Sequence, residues 1–79
     1  MNEDASLQQK IRDCISRTLH LPVTPGPMQM GSTPGWDSMG HMMVVLEIEK
    51  EFKVRFPAHL LPELTTIDLI AGAIERQRV

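Results

Sequence analysis

Three residues near the middle of the chain, Asp37, Ser38 and His41, have side chains that could do chemistry together. An acid, a hydroxyl and an imidazole are the parts of a hydrolase triad, in which the imidazole takes the proton of the hydroxyl and the acid orients the imidazole. Ser38 and His41 could touch on one helix, but Asp37 is expected at the helix cap, where it would bind backbone amides. A nucleophile elbow does not fit either, because Trp36 stands where its first glycine belongs. No catalytic residue is predicted.

The same residues predict the start of a helix. Pro34 and Gly35 break the backbone, and Asp37 can then accept hydrogen bonds from the unpaired amides of the first turn. Ser38 is therefore expected at the first position of a helix that continues to about Phe52. The positive end of the helix dipole favours a negative charge attached to this hydroxyl. The site would suit a phosphate ester.

At this point the sequence resembles a known family. Asp37-Ser38-Met39, followed by a helix that ends with residues 46–52, is similar to the Asp-Ser-Leu motif and second helix of acyl carrier proteins. The Trp-Asp-Ser-(Leu/Met)-Gly-His form resembles carriers of polyketide and other specialised pathways. Residues 64–68 resemble the start of the family's last helix, so the likeness covers nearly all 79 residues without a gap. It implies that Ser38, with Asp37 beside it, carries 4′-phosphopantetheine, whose thiol holds an acyl group as a thioester.

The resemblance also implies a function and partners. The chain would be a non-catalytic acyl carrier of fatty-acid, polyketide or related specialised biosynthesis. It would be modified by a phosphopantetheinyl transferase and would serve an acyl-loading enzyme, a ketosynthase or an acyltransferase. Fatty-acid carriers place carboxylates where this sequence has Gly40 and Met43, so recognition is expected to be mainly apolar. The expected partner surface comprises Met39, Met43, Leu46 and Glu47.

Two alternatives to an acyl carrier stay open. One is a peptidyl carrier loaded with an amino acid, although residues 34–38 do not match the Gly-Gly-(His/Asp)-Ser sequence that such carriers more often show. The other is a helical interaction module without a prosthetic group, because a serine after an aspartate cap starts helices in many proteins.

Apolar spacing predicts the helices on either side of this site. The first helix, capped by Asp4 or Ser6, is predicted from an apolar stripe that contains Leu7, Ile11, Cys14, Ile15 and Thr18. The last helix is predicted to begin at Thr65 or Thr66, with a capping box from Thr65 to Asp68. Its buried face would consist of Ile67, Ile70, Ala71 and Ile74. Cys14 is interpreted as an inert core thiol.

The middle of the chain divides into a loop, a central helix and a short helical turn. Four prolines and three glycines between His20 and Gly35 predict a long ordered loop, pinned by Leu21, Val23, Met28 and Met30. On the central helix, Met42, Val45, Ile48 and Phe52 are predicted to form the buried face, with His41 at its edge. After an extended piece over 53–57, residues 58–61 are predicted to form a short helix that Pro62 ends.

Composition favours one small helical domain over residues 1–79. Hydrophobic residues make up 42% of the chain and aromatic residues only 4%, which suggests an aliphatic helical core. The expected fold is all-α, a four-helix bundle of acyl-carrier type with three longer helices, one short helix and a long first loop. One core should contain Ile11, Ile15, Val45, Phe52, Ile70 and Ile74.

Charge and cysteine content limit the partners and the compartment. A net charge of −2 offers no basic surface for nucleic acid, and no apolar run is long enough to span a bilayer. The single cysteine cannot form an internal disulfide, and no signal peptide is visible, so a cytoplasmic monomer is expected. His20, His41 and His59 lack the spacing of a metal site, and none is predicted.

Overall fold

A computed structural model describes residues 3–22 and 26–78. Over these residues the chain forms α1 (Glu3–Leu19), α2 (Ser38–Phe52), a short 3₁₀ helix (Ala58–Glu63) and α3 (Ile67–Arg78). The described residues contain four helices and no strand, which confirms the all-α prediction. Val23, which was predicted to pin the long loop, lies outside the described residues.

α1 packs against both α2 and α3. The residues at the centre of this packing are the aliphatic ones that recur at helical spacing, because only those positions return to the same side of a helix. The core comprises Leu7, Ile11, Cys14, Ile15, Trp36, Val44, Val45, Ile48, Phe56, Leu64, Ile67, Ile70, Ala71, Ala73 and Ile74. Phe52 is only partly buried at the edge of this core, so its predicted central place is wrong.

The predicted buried face of α2 also needs correction. Met42 is 48% exposed, whereas Val44, which was not predicted in the core, is fully buried. Two residues advance an α-helix by about 200°, so Met42 and Val44 lie on nearly opposite sides. α1 covers the side that carries Val44, Val45 and Ile48, and Met42 is left with the solvent-facing residues.

Three predicted helix boundaries differ from the structure, including the start of α3, which lies at Ile67 and not at Thr65 or Thr66. α1 begins at Glu3, so Asp4 and Ser6 lie inside the helix and not at its cap. The 3₁₀ helix continues through Pro62 to Glu63. Pro62 is tolerated there because the amides of Leu60 and Leu64 form the flanking turn hydrogen bonds, with Pro57 and Leu61.

The predicted capping box of α3 is wrong. Thr66 is the capping residue, since its Oγ1 accepts a hydrogen bond from the Leu69 amide at 3.1 Å. Thr65 is held by the long loop, because its carbonyl accepts from the Met30 amide at 2.9 Å. The Asp68 carboxylate instead accepts from Gln8 Nε2 at 2.8 Å, which joins α3 to α1.

Cys14 lies in the core, as its place in the apolar stripe predicted. Its side chain is 1% exposed. Burial raises the pKa of the Cys14 thiol, and the nearby positive charge of Arg17 opposes this only in part. The thiol therefore stays protonated and poorly nucleophilic at neutral pH.

In the described part of the chain, no helix combines the length and the hydropathy needed to cross a bilayer.

Candidate functional site

The start of α2 has the geometry that the sequence predicted. Asp37 precedes the first helical residue in an extended conformation, and its Oδ1 accepts from the Gly40 amide at 2.8 Å. The Asp37 carbonyl accepts from the His41 amide at 2.7 Å, which closes the first turn. Ser38 is the first residue of α2, and its side chain is exposed.

Two glycines allow the chain to enter this turn. Gly35 has a φ of +83°, a conformation that L side chains rarely adopt. Gly40 is buried, and a Cβ on it would overlap the carbonyl oxygen of Gly35. The backbone at Gly35 therefore lies so close to the first turn of α2 that a residue with a side chain would not fit at position 40.

Asp37, the capping residue, is followed by a first turn of α2 that has no negative charge. The first turn of α2 contains no acidic residue. The Ser38 hydroxyl has no hydrogen-bond partner among the described residues. A negative group on Ser38 would therefore face the positive end of a 15-residue helix without competition from a neighbouring carboxylate in that turn.

An apolar stripe runs along the exposed face of α2 from this point. We define it as Met39, Met42, Met43 and Leu46, whose exposed fractions are 79%, 48%, 51% and 54%. Three of these residues, Met39, Met43 and Leu46, were predicted together with Glu47 to recognise partners, and the structure brings the three to one side of α2. Met42 was not predicted in this stripe, because its spacing from Val45 and Ile48 indicated a place in the core. A groove of about 350 Å³ beside Met43 and Leu46 is also lined by Arg17, Thr18, His20 and Glu47.

The carboxylates along α2 all have partners inside the molecule. Glu47 lies 3.6 Å from the Lys50 ammonium, and Glu51 lies 2.8 Å from the Arg17 guanidinium. Glu49 Oε2 accepts from the Phe56 amide at 2.8 Å. The exposed face of α2 is therefore more strongly apolar than acidic in character.

His41 is not placed to activate Ser38. Its ring is buried, with Nδ1 2.9 Å from Trp36 Nε1 and Nε2 2.6 Å from the carbonyl oxygen of Leu61. Both ring nitrogens are therefore engaged away from the Ser38 hydroxyl, and a serine–histidine pair is not formed. Among the described residues, no three His, Cys, Asp or Glu side chains come together as a metal-binding group.

The pairing of Trp36 with His41 was not predicted. The available signal was an indole that must find a hydrogen-bond acceptor once it is buried. The burial itself depends on the loop folding back over α2, which a periodicity pattern does not reveal.

Comparisons of this chain with models of known protein families, with curated proteins and with solved structures found no match.

Proposed function

We propose that this chain is an acyl carrier protein that bears 4′-phosphopantetheine on Ser38. The observation that carries the proposal is an exposed serine hydroxyl at the first position of α2, held there by the Asp37 cap. The resemblance of residues 36–41 and 46–52 to carrier sequences supports the same assignment. The proposal assigns the chain no catalytic role of its own.

The residues at the start of α2 fit a phosphopantetheine group. The exposed Ser38 side chain leaves space for a phosphodiester, and the helix dipole favours its negative charge. Asp37 is kept beside Ser38 by its bond to the Gly40 amide, so the modifying enzyme would meet both residues in a fixed arrangement. When bound, the group supplies a thiol that carries an acyl chain as a thioester.

The apolar stripe supports the second half of the proposal, which is recognition by partner enzymes. Large exposed apolar side chains next to one another commonly mark contact surfaces. Thioether side chains adapt to differently shaped pockets, which suits a protein that must visit several enzymes. We propose that Met39, Met43 and Leu46, joined by Met42, contact a phosphopantetheinyl transferase, an acyl-loading enzyme and a ketosynthase or acyltransferase. Glu47 would add a weaker charged contact, because Lys50 already lies close to it.

An interaction module without a prosthetic group is the second candidate. The apolar stripe favours it as well, since docking on Met39 and Met43 does not require a modified serine. The two candidates differ in whether Ser38 becomes covalently modified. A peptidyl carrier would share the modification and differ only in the group loaded on the thiol.

Intact-mass measurement after modification tests the proposal. Incubation with coenzyme A, Mg²⁺ and a broad-specificity phosphopantetheinyl transferase should add one phosphopantetheine to the chain. Ser38→Ala should add none, whereas Ser32→Ala, which changes another exposed serine, should be modified like the natural sequence. An unmodified natural chain under conditions that modify a known carrier would leave the interaction module as the better candidate.

A further inference from the structure

The buried hydrogen bond between Trp36 and His41 fixes the protonation state of the imidazole. The Trp36 side chain is 1% exposed and His41 is 5% exposed. Indole Nε1 can only donate a hydrogen bond, so His41 Nδ1 must accept it without a proton. The Leu61 carbonyl can only accept, so Nε2 must carry the proton. His41 is therefore the neutral Nε2–H tautomer.

This histidine joins three parts of the molecule. Trp36 belongs to the loop before α2, His41 belongs to the first turns of α2, and Leu61 belongs to the 3₁₀ helix. The Trp36 backbone is also fixed, because its amide donates to Thr33 and its carbonyl accepts from Gly31. The rings of Trp36 and His41 stack with their centroids 6.1 Å apart.

The hydrogen bonds made by His41 enclose Ser38. The side chains of Trp36 and His41 connect the two ends of the segment 36–41, and the Asp37 carbonyl accepts from the His41 amide inside it. Ser38 lies in the middle of this closed segment. Movement of the Trp36 side chain away from His41 would release the turn on which the Asp37 cap and the Ser38 hydroxyl depend.

We propose that neutral His41 is a positioning residue that holds Ser38 in the orientation needed for modification, an inference that rests on the proposed function. His41 touches neither the hydroxyl nor the phosphate to be attached. It acts through Trp36 on one side and through the 3₁₀ helix on the other. In this arrangement the tryptophan and histidine of the Trp-Asp-Ser-Met-Gly-His sequence both support the serine between them.

The arrangement depends on an acceptor at Nδ1 of His41. A proton on Nδ1 would point at the Trp36 Nε1–H, so an attractive hydrogen bond would become a contact between two donors. A side chain at position 41 that cannot accept from Trp36 should therefore weaken the arrangement.

Nitrogen NMR of the histidine rings tests the first step without any modification. At neutral pH, His41 Nδ1 should show the shift of an unprotonated nitrogen and Nε2 that of an N–H. In Trp36→Phe, which removes the donor to Nδ1, the Gly40 and His41 amides should lose about tenfold of their exchange protection, corrected for intrinsic rates. An Nδ1–H tautomer at neutral pH would overturn the proposal.

Matched variants test the second step. In His41→Ala no side-chain acceptor remains for Trp36, so exchange protection at Gly40 and the modification rate should both fall relative to the natural chain. In His41→Asn the side-chain oxygen can still accept from Trp36, so both should stay closer to the natural values. His59→Ala removes an exposed histidine from the 3₁₀ helix and should leave both unchanged. One transferase is used for all chains, so their rates can be compared directly.

The outcomes separate the two proposals. If no chain is modified, the proposed function fails, and the ring nitrogens and amide exchange still judge the role of His41. If His41→Ala is modified at the natural rate and keeps the natural protection at Gly40, the positioning role is wrong. If His41→Ala does not fold, Trp36→Phe provides the same comparison, because it removes the donor to Nδ1 and leaves the imidazole in place.

Discussion

At the scale of single residues, the start of α2 depends on the absence of a side chain at position 40 and on the hydrogen bonds made by Asp37 and His41. A side chain at position 40 would overlap the carbonyl oxygen of Gly35, so only glycine fits there. Ser38 is the first residue of α2 and is exposed, while Asp37 accepts from the Gly40 amide. His41 is held by Trp36 and is thereby kept from acting as a base. Ser38 is therefore exposed, and both ring nitrogens of His41 are engaged away from its hydroxyl.

Gly40→Ala and Gly72→Ala should change stability in opposite directions, although both glycines lie in helices. An added methyl group at Gly40 would collide with backbone, so we expect a loss of about 1 to 3 kcal/mol. At Gly72 in α3 a Cβ would meet nothing within 4 Å, so alanine should stabilise the helix by about 0.5 to 1 kcal/mol. Urea unfolding of both variants measures this, and equal effects at the two positions would contradict the close approach of Gly35.

At the scale of elements, α2 has a buried side and an exposed apolar side. Its buried side, with Val44, Val45 and Ile48, packs into the core. Its exposed side carries the apolar stripe, and no described helix covers it. The long loop and the 3₁₀ helix fix the N-terminal end of α2 through Trp36 and Leu61. The helix is thus anchored on one side and open on the other.

Partner binding through the apolar stripe should respond to truncation more than to salt. Met43→Ala should weaken binding to a purified partner ketosynthase or acyltransferase by about 1 kcal/mol or more. Leu69→Ala is the matched control, since Leu69 is an exposed apolar residue on α3 and outside the stripe. Salt should have a smaller effect, because the carboxylates of Glu47 and Glu51 already lie near cations of the same chain.

Titration at low and high salt distinguishes this from charge-driven docking. If affinity collapses at high salt while Met43→Ala binds like the natural chain, recognition is electrostatic. Unfolding curves of the two alanine variants should coincide with that of the natural chain, because both side chains are about half exposed.

At the scale of the whole molecule, the chain is a small bundle whose stability depends on few residues. A domain of 79 residues buries a limited apolar area, so a single core truncation removes a large share of its free energy of unfolding. α1 is central to this arrangement because it contacts both other long helices. The surface between α1 and α2 is further closed by the exposed Arg17–Glu51 pair, which contributes little by itself.

Core truncations should rank by burial and not by side-chain size. Ile48→Ala, at a position with no exposed surface, should cost about 2 to 5 kcal/mol. Phe52→Ala should cost less than about 3 kcal/mol, since Phe52 is only partly buried at the edge of the core. Denaturant unfolding of both variants gives the order, and a larger loss at Phe52 would show that the core extends further along α2 than the structure indicates.

The sequence by itself determined the helices and the start of α2. Apolar spacing predicted the buried faces of α1 and α3, and the bounds predicted for α2 agree with Ser38–Phe52. The Asp37 cap could be predicted because capping is a local interaction between a side chain and amides within the next turn. The exposed state of Ser38 follows from the same local geometry.

Only the tertiary structure decided which residues share the surface and the interior around that site. Met42 and Val44 exchanged their predicted places because burial depends on where α1 lies, and a helical pattern with apolar residues on several sides does not specify this. Phe52 lies at the edge of the core for the same reason. Trp36, His41 and Leu61 met because a loop and a 3₁₀ helix fold onto the start of α2. The Trp36–His41 bond spans 5 residues and the His41–Leu61 bond spans 20, but neither belongs to a regular helix, so both depend on how the loop and the 3₁₀ helix pack onto α2.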